Sequence, residues 1–310
     1  MKDDMARHNL SPLMKLRYAG EYVVLRLVAG LIRLMPVDMA SRAMGKAWRL
    51  IAPKTKRHAH ALEHIALAYP DMPPAERERL ARAMWENLGR IAAETFQLDR
   101  LHAQPSRYTF DVEDARAFVE KNGGAAVVVS LHTGNWEIIA EPARYVGLDT
   151  AGVYQALKNP YADAYLTDMR QRYFPGGLHA KSHSTARRLI QHVRSGGAIA
   201  FLADLRDVRG VTVPFFGHPA TANPFPVMVA RTYGVPLIIC RTIRRDGAHF
   251  HFEARVLELP REGDRQADIQ EGTARIHAVF ESWIREHPEQ WMWIHRKWVM
   301  PKKKRKPASQ

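Results

Sequence analysis

His132 and Glu137 stand five positions apart, joined by Thr133-Gly134-Asn135-Trp136. A histidine and a carboxylate can act together as a base. The carboxylate holds one imidazole nitrogen and stabilises the imidazolium, and the other nitrogen takes a proton. The pair gains meaning from its setting. Residues 125–131 are a run of small and β-branched apolar residues between Gly123-Gly124 and Gly134-Asn135, which predicts a buried strand. Asn135 is suited to cap a helix beginning near Trp136-Glu137. His132 then falls at the carboxyl end of a strand, where open α/β sheets place their ligands, with Glu137 in the following turn. Spacing alone also fits a plain histidine beside a capped turn.

The elements around this turn read as follows. Residues 1–105 form a helical region punctuated by Pro36, Pro53, Pro70 and Pro73-Pro74. From residue 106 to 300, strands and helices alternate. Strands are expected at 125–131, 150–154, 198–203, 211–216, 236–242 and 249–256, and helices at 161–173, 185–194, 226–233 and 269–287. The pattern predicts an α/β fold with a mixed sheet flanked by helices and an N-terminal helical, membrane-associating extension. Residues 301–310 read as a basic, disordered tail.

Composition narrows the partners. The 310 residues are 46% hydrophobic and 25% charged, with a net charge of +14. That charge calls for an anionic partner: nucleic acid, an acidic membrane or a phosphorylated substrate. No nucleic-acid module and no interleaving of basic with stacking aromatic residues is found, so nucleic acid is not expected. The single cysteine, Cys240, excludes a disulfide framework and reads as a buried, inert thiol. The N-terminus lacks the pattern of a cleavable signal peptide. Residues 22–36, within a helix expected over about 20–36, are strongly apolar, but Arg26 and Arg33 interrupt them, and Arg17, Arg42, Lys46 and Arg49 flank them. This predicts an amphipathic helix lying in a membrane interface; packing on the protein's own core is the competing reading.

Other chemistries are poorly served. There is no G-x-S-x-G elbow, and Ser130 is expected to face away from the site. There is no H-E-x-x-H, and one His with one Glu is an incomplete zinc ligand set, so no metal is expected. Asp204 ends the strand 198–203 at the same sheet edge as His132. It can brace Arg170, bind a second hydroxyl or cap a turn. Arg206 and Arg209 follow it in a loop suited to phosphates, with Lys158 a similar candidate. Arg170 and Arg172 are two apart and project to different sides of a helix, so one of them enters the site. Phe215-Phe216 and Trp291, Trp293 and Trp298 fit an acyl pocket, a core or an aromatic belt.

The wording His132-Thr133-Gly134-Asn135-Trp136-Glu137 resembles the late acyltransferases of lipid A biosynthesis, the lauroyl and myristoyl transferases of the lysophospholipid acyltransferase superfamily. The resemblance runs along most of the chain. Residues 84–94 resemble the family's helical segment. Lys158-Asn159-Pro160 matches its Asn-Pro after the second strand. Val213-Pro214-Phe215-Phe216-Gly217 matches its VPFFG strand, and residues 291–298 resemble its closing W-x-W-x-H-R-x-W stretch. Two departures bear on acceptor or acyl preference. Asp204-Leu205 stands where Asp-Gln is frequent, and Thr221-Ala222-Asn223-Pro224 where a Thr pair is usual.

The resemblance implies a glycerolipid acyltransferase-like fold and an O-acyltransferase without cofactor. Its acyl donor would be acyl carrier protein, and its acceptor a hydroxyl of a phosphorylated, Kdo-linked lipid A precursor. His132 and Glu137 become the catalytic pair. Asn135, Lys158, Arg170, Arg172, Asp204, Arg206 and Arg209 become candidate substrate contacts; the resemblance places a functional arginine in the segment of Arg170 and Arg172, and we favour Arg170 for phosphate. The implied location is the cytoplasmic face of the inner membrane, against anionic phospholipid and glycolipid. The competing readings are an acyltransferase for another lysolipid or an acyl-CoA donor, and a non-enzymatic basic protein that binds membrane or nucleic acid.

Overall fold

The computed structural model describes residues 10–261 and 263–298, with His183 by its backbone alone; the expected tail 301–310 lies outside the described residues. Among the described residues, five α-helices precede the first strand: α1 (Pro12–Arg33), α2 (Val37–Ile51), α3 (Lys56–Ala68), α4 (Pro74–Thr95) and α5 (Leu98–His102). Proline at the first position of α1 and α4 matches its preference for that site, where no backbone N–H is needed.

The strands are β1 (Tyr108–Asp111), β2 (Ala126–Ser130), β3 (Thr150–Tyr154), β4 (Leu178–Ala180), β5 (Ala198–Leu202), β6 (Val211–Phe215), β7 (His218–Ala222), β8 (Leu237–Arg244) and β9 (Phe250–Val256). Seven of them form one sheet in the order β1-β9-β8-β2-β5-β3-β4. All neighbours are parallel except β8 and β9, so the sheet is mixed and the α/β expectation holds. The helices between them are α6 (Glu113–Lys121), α7 (Glu141–Tyr145), α8 (Pro160–Gln171), α9 (His183–Arg194) and α10 (Phe225–Tyr233), and α11 (Arg265–Glu286) follows β9. Three strands were not anticipated. β1 and β4 are short, and β7 carries Pro219, which the isolated two-stranded sheet of β6 and β7 tolerates at an edge. That hairpin turns at Phe216 and Gly217, both at positive φ (51° and 72°), as a tight two-residue hairpin turn demands.

β2 lies between β8 and β5, so its carboxyl end opens near the middle of the sheet. Strand alternation gives the sheet two different faces. Val127, Val129 and Leu131 of β2 and its end join a core with Trp85 and Ile91 of α4, Ile276 and Phe280 of α11, and Trp291, Trp293 and Trp298. N-terminal helices and sheet therefore share one hydrophobic cluster. Val128 and Ser130 point the other way.

Helix α1 is oriented unusually. Tyr22 packs on Tyr161 and Tyr165 of α8, Arg26 lies 4.7 Å from the Tyr165 ring centre, and Arg33 binds Asp99 through two hydrogen bonds. Asn159 caps α8 and donates to the Tyr18 carbonyl and to Glu21. The Tyr and Arg side thus meets the protein. Val23, Val24, Leu27, Leu31 and Leu34 are exposed, Leu27 and Leu31 each by 64%. Among the described residues no helix is long and apolar enough to cross a membrane.

The turn after β2 is fixed by a buried polar network. Gly134 has φ 58°, and a Cβ there would meet the Thr242 carbonyl oxygen at 2.2 Å, so only glycine fits. Asn87 of α4 donates to the Gly134 carbonyl. The Asn135 side chain accepts from the Glu137 N–H and donates to Glu94, which is fully buried. Glu94 also accepts from Ser41 and from both terminal nitrogens of Arg244, while Arg244 Nε donates to Asn87. Breaking a buried pair strands a charge, so Arg244→Met should lower unfolding stability by about 3–5 kcal/mol. Adding Glu94→Gln should recover much of the loss. Urea unfolding of the single and double variants tests this, and additive losses would count against the network.

Candidate active site

His132 follows β2 and Asp204 follows β5, the neighbouring strand, and the paired register brings them together. Asp204 Oδ1 lies 2.7 Å from His132 Nδ1, and the His132 backbone N–H donates to Oδ2 at 3.0 Å. The indole N–H of Trp291 also donates to Oδ2, at 2.8 Å. Burial opposes the charge on Asp204, but the adjacent imidazole and these donors hold its carboxyl well below the usual range. An ionised carboxylate accepts only, so Nδ1 must carry a proton. Nε2 is then the basic nitrogen, and among the described residues no side chain occupies it.

The expected partner of His132 was Glu137, and here the geometry differs. Glu137 is held by Arg170, with Nε and a terminal nitrogen 2.5 and 2.7 Å from its two oxygens. The capped turn Trp136–Ile138 carries Glu137 away from Nδ1 and toward α8, whose last turn supplies Arg170. Burial disfavours the guanidinium charge, but Glu137 keeps its pKa raised. Asp204 therefore braces the histidine, not Arg170 as its sequence position allowed.

His132, Glu137 and Arg170 line one cavity of about 700 Å³ on the second face of the sheet. Its floor is Val128, Ser130, Ala200, Leu202 and Ile238, and Ala115 and Val119 of α6 and Leu189 of α9 help cover it. Ser130 faces this cavity, contrary to expectation, because residues two apart in a strand share a face with each other and Ser130 stands two before His132. Its hydroxyl does not hydrogen-bond His132. Cys240 is buried on the same face, and burial pushes its thiol up to about 12, as an inert thiol requires.

The other candidates separate clearly. Arg206 lines the cavity and is exposed. Lys181, which the sequence did not single out, lines it too, at the end of β4. Lys158, Arg172 and Arg209 are exposed and outside the lining; Arg172 approaches Asp168 at 3.8 Å. Asn135 is fully buried, with its amide oxygen committed to the turn and its amide nitrogen to Glu94, so it holds the scaffold and does not line the cavity. Phe215 and the three tryptophans are core residues of the opposite face. Glu94 and Arg244 escaped notice because their partnership joins positions far apart in sequence. Among the described residues no cluster of His, Cys, Asp and Glu is arranged to hold a metal ion.

Known proteins resemble this chain along most of its length. Residues 8–300 match the family described as bacterial lipid A biosynthesis acyltransferase. A lipid A biosynthesis lauroyltransferase of Escherichia coli is 27% identical over 254 residues, which covers 78% of this chain and 79% of the relative. A lipid A biosynthesis acyltransferase of Haemophilus influenzae is 24% identical over 249 residues, covering 78% of this chain and 77% of its own. The strand-end histidine, its apolar cavity and this match together identify the chain as a member of the bacterial lipid A biosynthesis acyltransferase family.

Proposed function

We propose that the protein transfers a fatty acyl group from acyl carrier protein to a hydroxyl of a Kdo-linked lipid A precursor, with His132 as general base. The observation that carries this reading is His132 Nδ1 on buried Asp204, at the wall of a largely apolar cavity. Nε2 takes the proton of the acceptor hydroxyl as that oxygen attacks the thioester carbonyl. The proton then passes to the departing thiolate. Asp204 fixes the tautomer and stabilises the imidazolium, which a hydroxyl with a pKa far above neutrality needs in order to react. The acyl chain lies along the sheet face, where each buried methylene contributes about 0.8 kcal/mol to binding. Arg170, pinned by Glu137, and Arg206 and Lys181 at the cavity supply positive charge for the acceptor's phosphates. Glu137 acts through Arg170.

The same reading places the protein on the cytoplasmic leaflet of the inner membrane. The outward Val and Leu face of α1 supports this, since a solvated helix normally turns that face inward. Basic residues flanking it favour anionic lipid.

Three outcomes test the proposal. With acyl carrier proteins, acyl-CoA and a lipid A precursor supplied in turn and product mass read out, His132→Ala and Asp204→Asn should each lose ~10²–10⁴ in kcat while staying folded. Undiminished turnover in either would remove that residue from the centre, and equal use of acyl-CoA would remove the carrier protein as dedicated donor. Glu137→Gln should resemble Arg170→Ala, raising KM for the acceptor more than for the donor. A Glu137→Gln enzyme with unchanged acceptor KM and the kcat loss of His132→Ala would return Glu137 to the histidine. Finally, Leu27→Glu with Leu31→Glu should release the protein from anionic vesicles while changing unfolding stability by no more than about 0.5 kcal/mol per site, since both side chains are exposed. Undiminished co-sedimentation would move membrane contact to another surface.

A further inference from the structure

Lys297 is 1% exposed, and among the described residues no carboxylate lies within ion-pair distance of it. Its amine lies 2.8 Å from Nε2 of His277, on α11, which is equally buried. His277 Nδ1 lies 2.9 Å from the Thr273 carbonyl, so Nδ1 carries the ring proton and Nε2 accepts from the lysine. The same amine sits 5.5 Å from the centre of the Phe215 ring. That ring packs against Trp291, whose indole N–H holds Asp204. Lys297 and Asp204 thus flank one aromatic layer.

Each is a buried charge with neutral immediate neighbours. While His132 is neutral, Asp204 accepts only from an imidazole N–H, a backbone N–H and an indole N–H. Lys297 donates to a neutral imidazole. Isolated buried charges are costly, and opposite ones across a low-dielectric layer offset each other. We propose that Lys297 is a positioning residue of the acyl-transfer centre, its buried ammonium serving as the countercharge of the Asp204 carboxylate. With the lysine present, the Asp204 charge is balanced within the core and His132 stays free to accept a proton. Without it, the unbalanced carboxylate draws a proton onto His132 before the acceptor arrives. The lysine's own behaviour fits: burial pushes its pKa down to about 8, and Asp204 acts to raise it.

The histidines around the centre do not supply this charge, and Arg206 and Lys181 at the cavity are exposed, where solvent screens them. Burial, with His132 close by, pushes His295 down. Burial likewise pushes down His64, from α3, whose Nδ1 lies 2.6 Å from the Trp293 carbonyl. His277 is pushed down to about 3 by burial and by Lys297, so it stays neutral. Across the cavity, Arg170 is paired with Glu137.

The inference rests on His132 as the base, so two readouts separate it from that reading. In Lys297→Met, the acid limb of kcat/KM should move to higher pH by about one unit, the scale on which a nearby charge shifts a titration. Activity should return toward the parent's at alkaline pH. A loss that is equal at every pH, with the limb unmoved, would overturn the proposal. The second readout needs no catalysis. Melting temperatures of Lys297→Met, Asp204→Asn and the double variant should be coupled, the double variant melting above Lys297→Met because no unbalanced charge remains. If Lys297→Met folds poorly, the double variant should recover folded protein. Additive losses, or a double variant no better folded than Lys297→Met, would overturn the countercharge whether or not His132 is the base.

Discussion

The buried carboxylate of Asp204 ties together three parts of the chain that lie far apart in sequence. It joins the end of β5 to the end of β2 through His132, and both to the closing segment through Trp291. Removing a carboxylate from water is unfavourable unless its lone pairs are met, and here three donors converge on it. Those donors must all be in place at once. The position of the histidine therefore depends on correct pairing of adjacent strands and on correct docking of the carboxyl-terminal segment. A site built this way is organised by the same packing that forms the core.

The sheet divides the work between its faces. One face packs against α4, α11 and the tryptophan cluster. The other keeps a cavity of about 700 Å³ beside His132. Small residues on that face, such as Ala200 of β5 and Ala115 of α6, leave space where larger ones would close it. Alternation along each strand makes this possible, because residues one apart serve opposite sides. Trp291, Trp293, Lys297 and Trp298 of the closing stretch thus belong to the core behind the histidine, and Trp291 reaches the site through its hydrogen bond to Asp204.

Helix α1 links the site to the protein's surroundings. Its Tyr and Arg side grips α8, the helix that presents Arg170. The same helix is capped by Asn159, which reaches back to α1. An apolar outer face and an inner face docked on a cavity-bearing helix place the surface of the molecule and its cavity within one rigid set of contacts.

The sequence by itself determined the local elements and the place of the histidine. Residues 125–131 read as a strand because their apolar run and flanking glycines are local signals, and Asn135 read as a cap for the same reason. Ser130 was expected to face away, and the period of two, counted from His132, instead puts it on the cavity side. What only the tertiary structure decided was partnership. The sequence offered Glu137 as the partner of His132 and gave Asp204 other roles, and the choice turned on β5 lying beside β2, an order that spacing along the chain does not encode. The same holds for Arg244 with Glu94, for Lys297 with His277, and for the side of α1 that meets the protein. Each joins residues separated by many positions, and the free energy that selects among such pairings comes from burial, which exists only once the chain has folded.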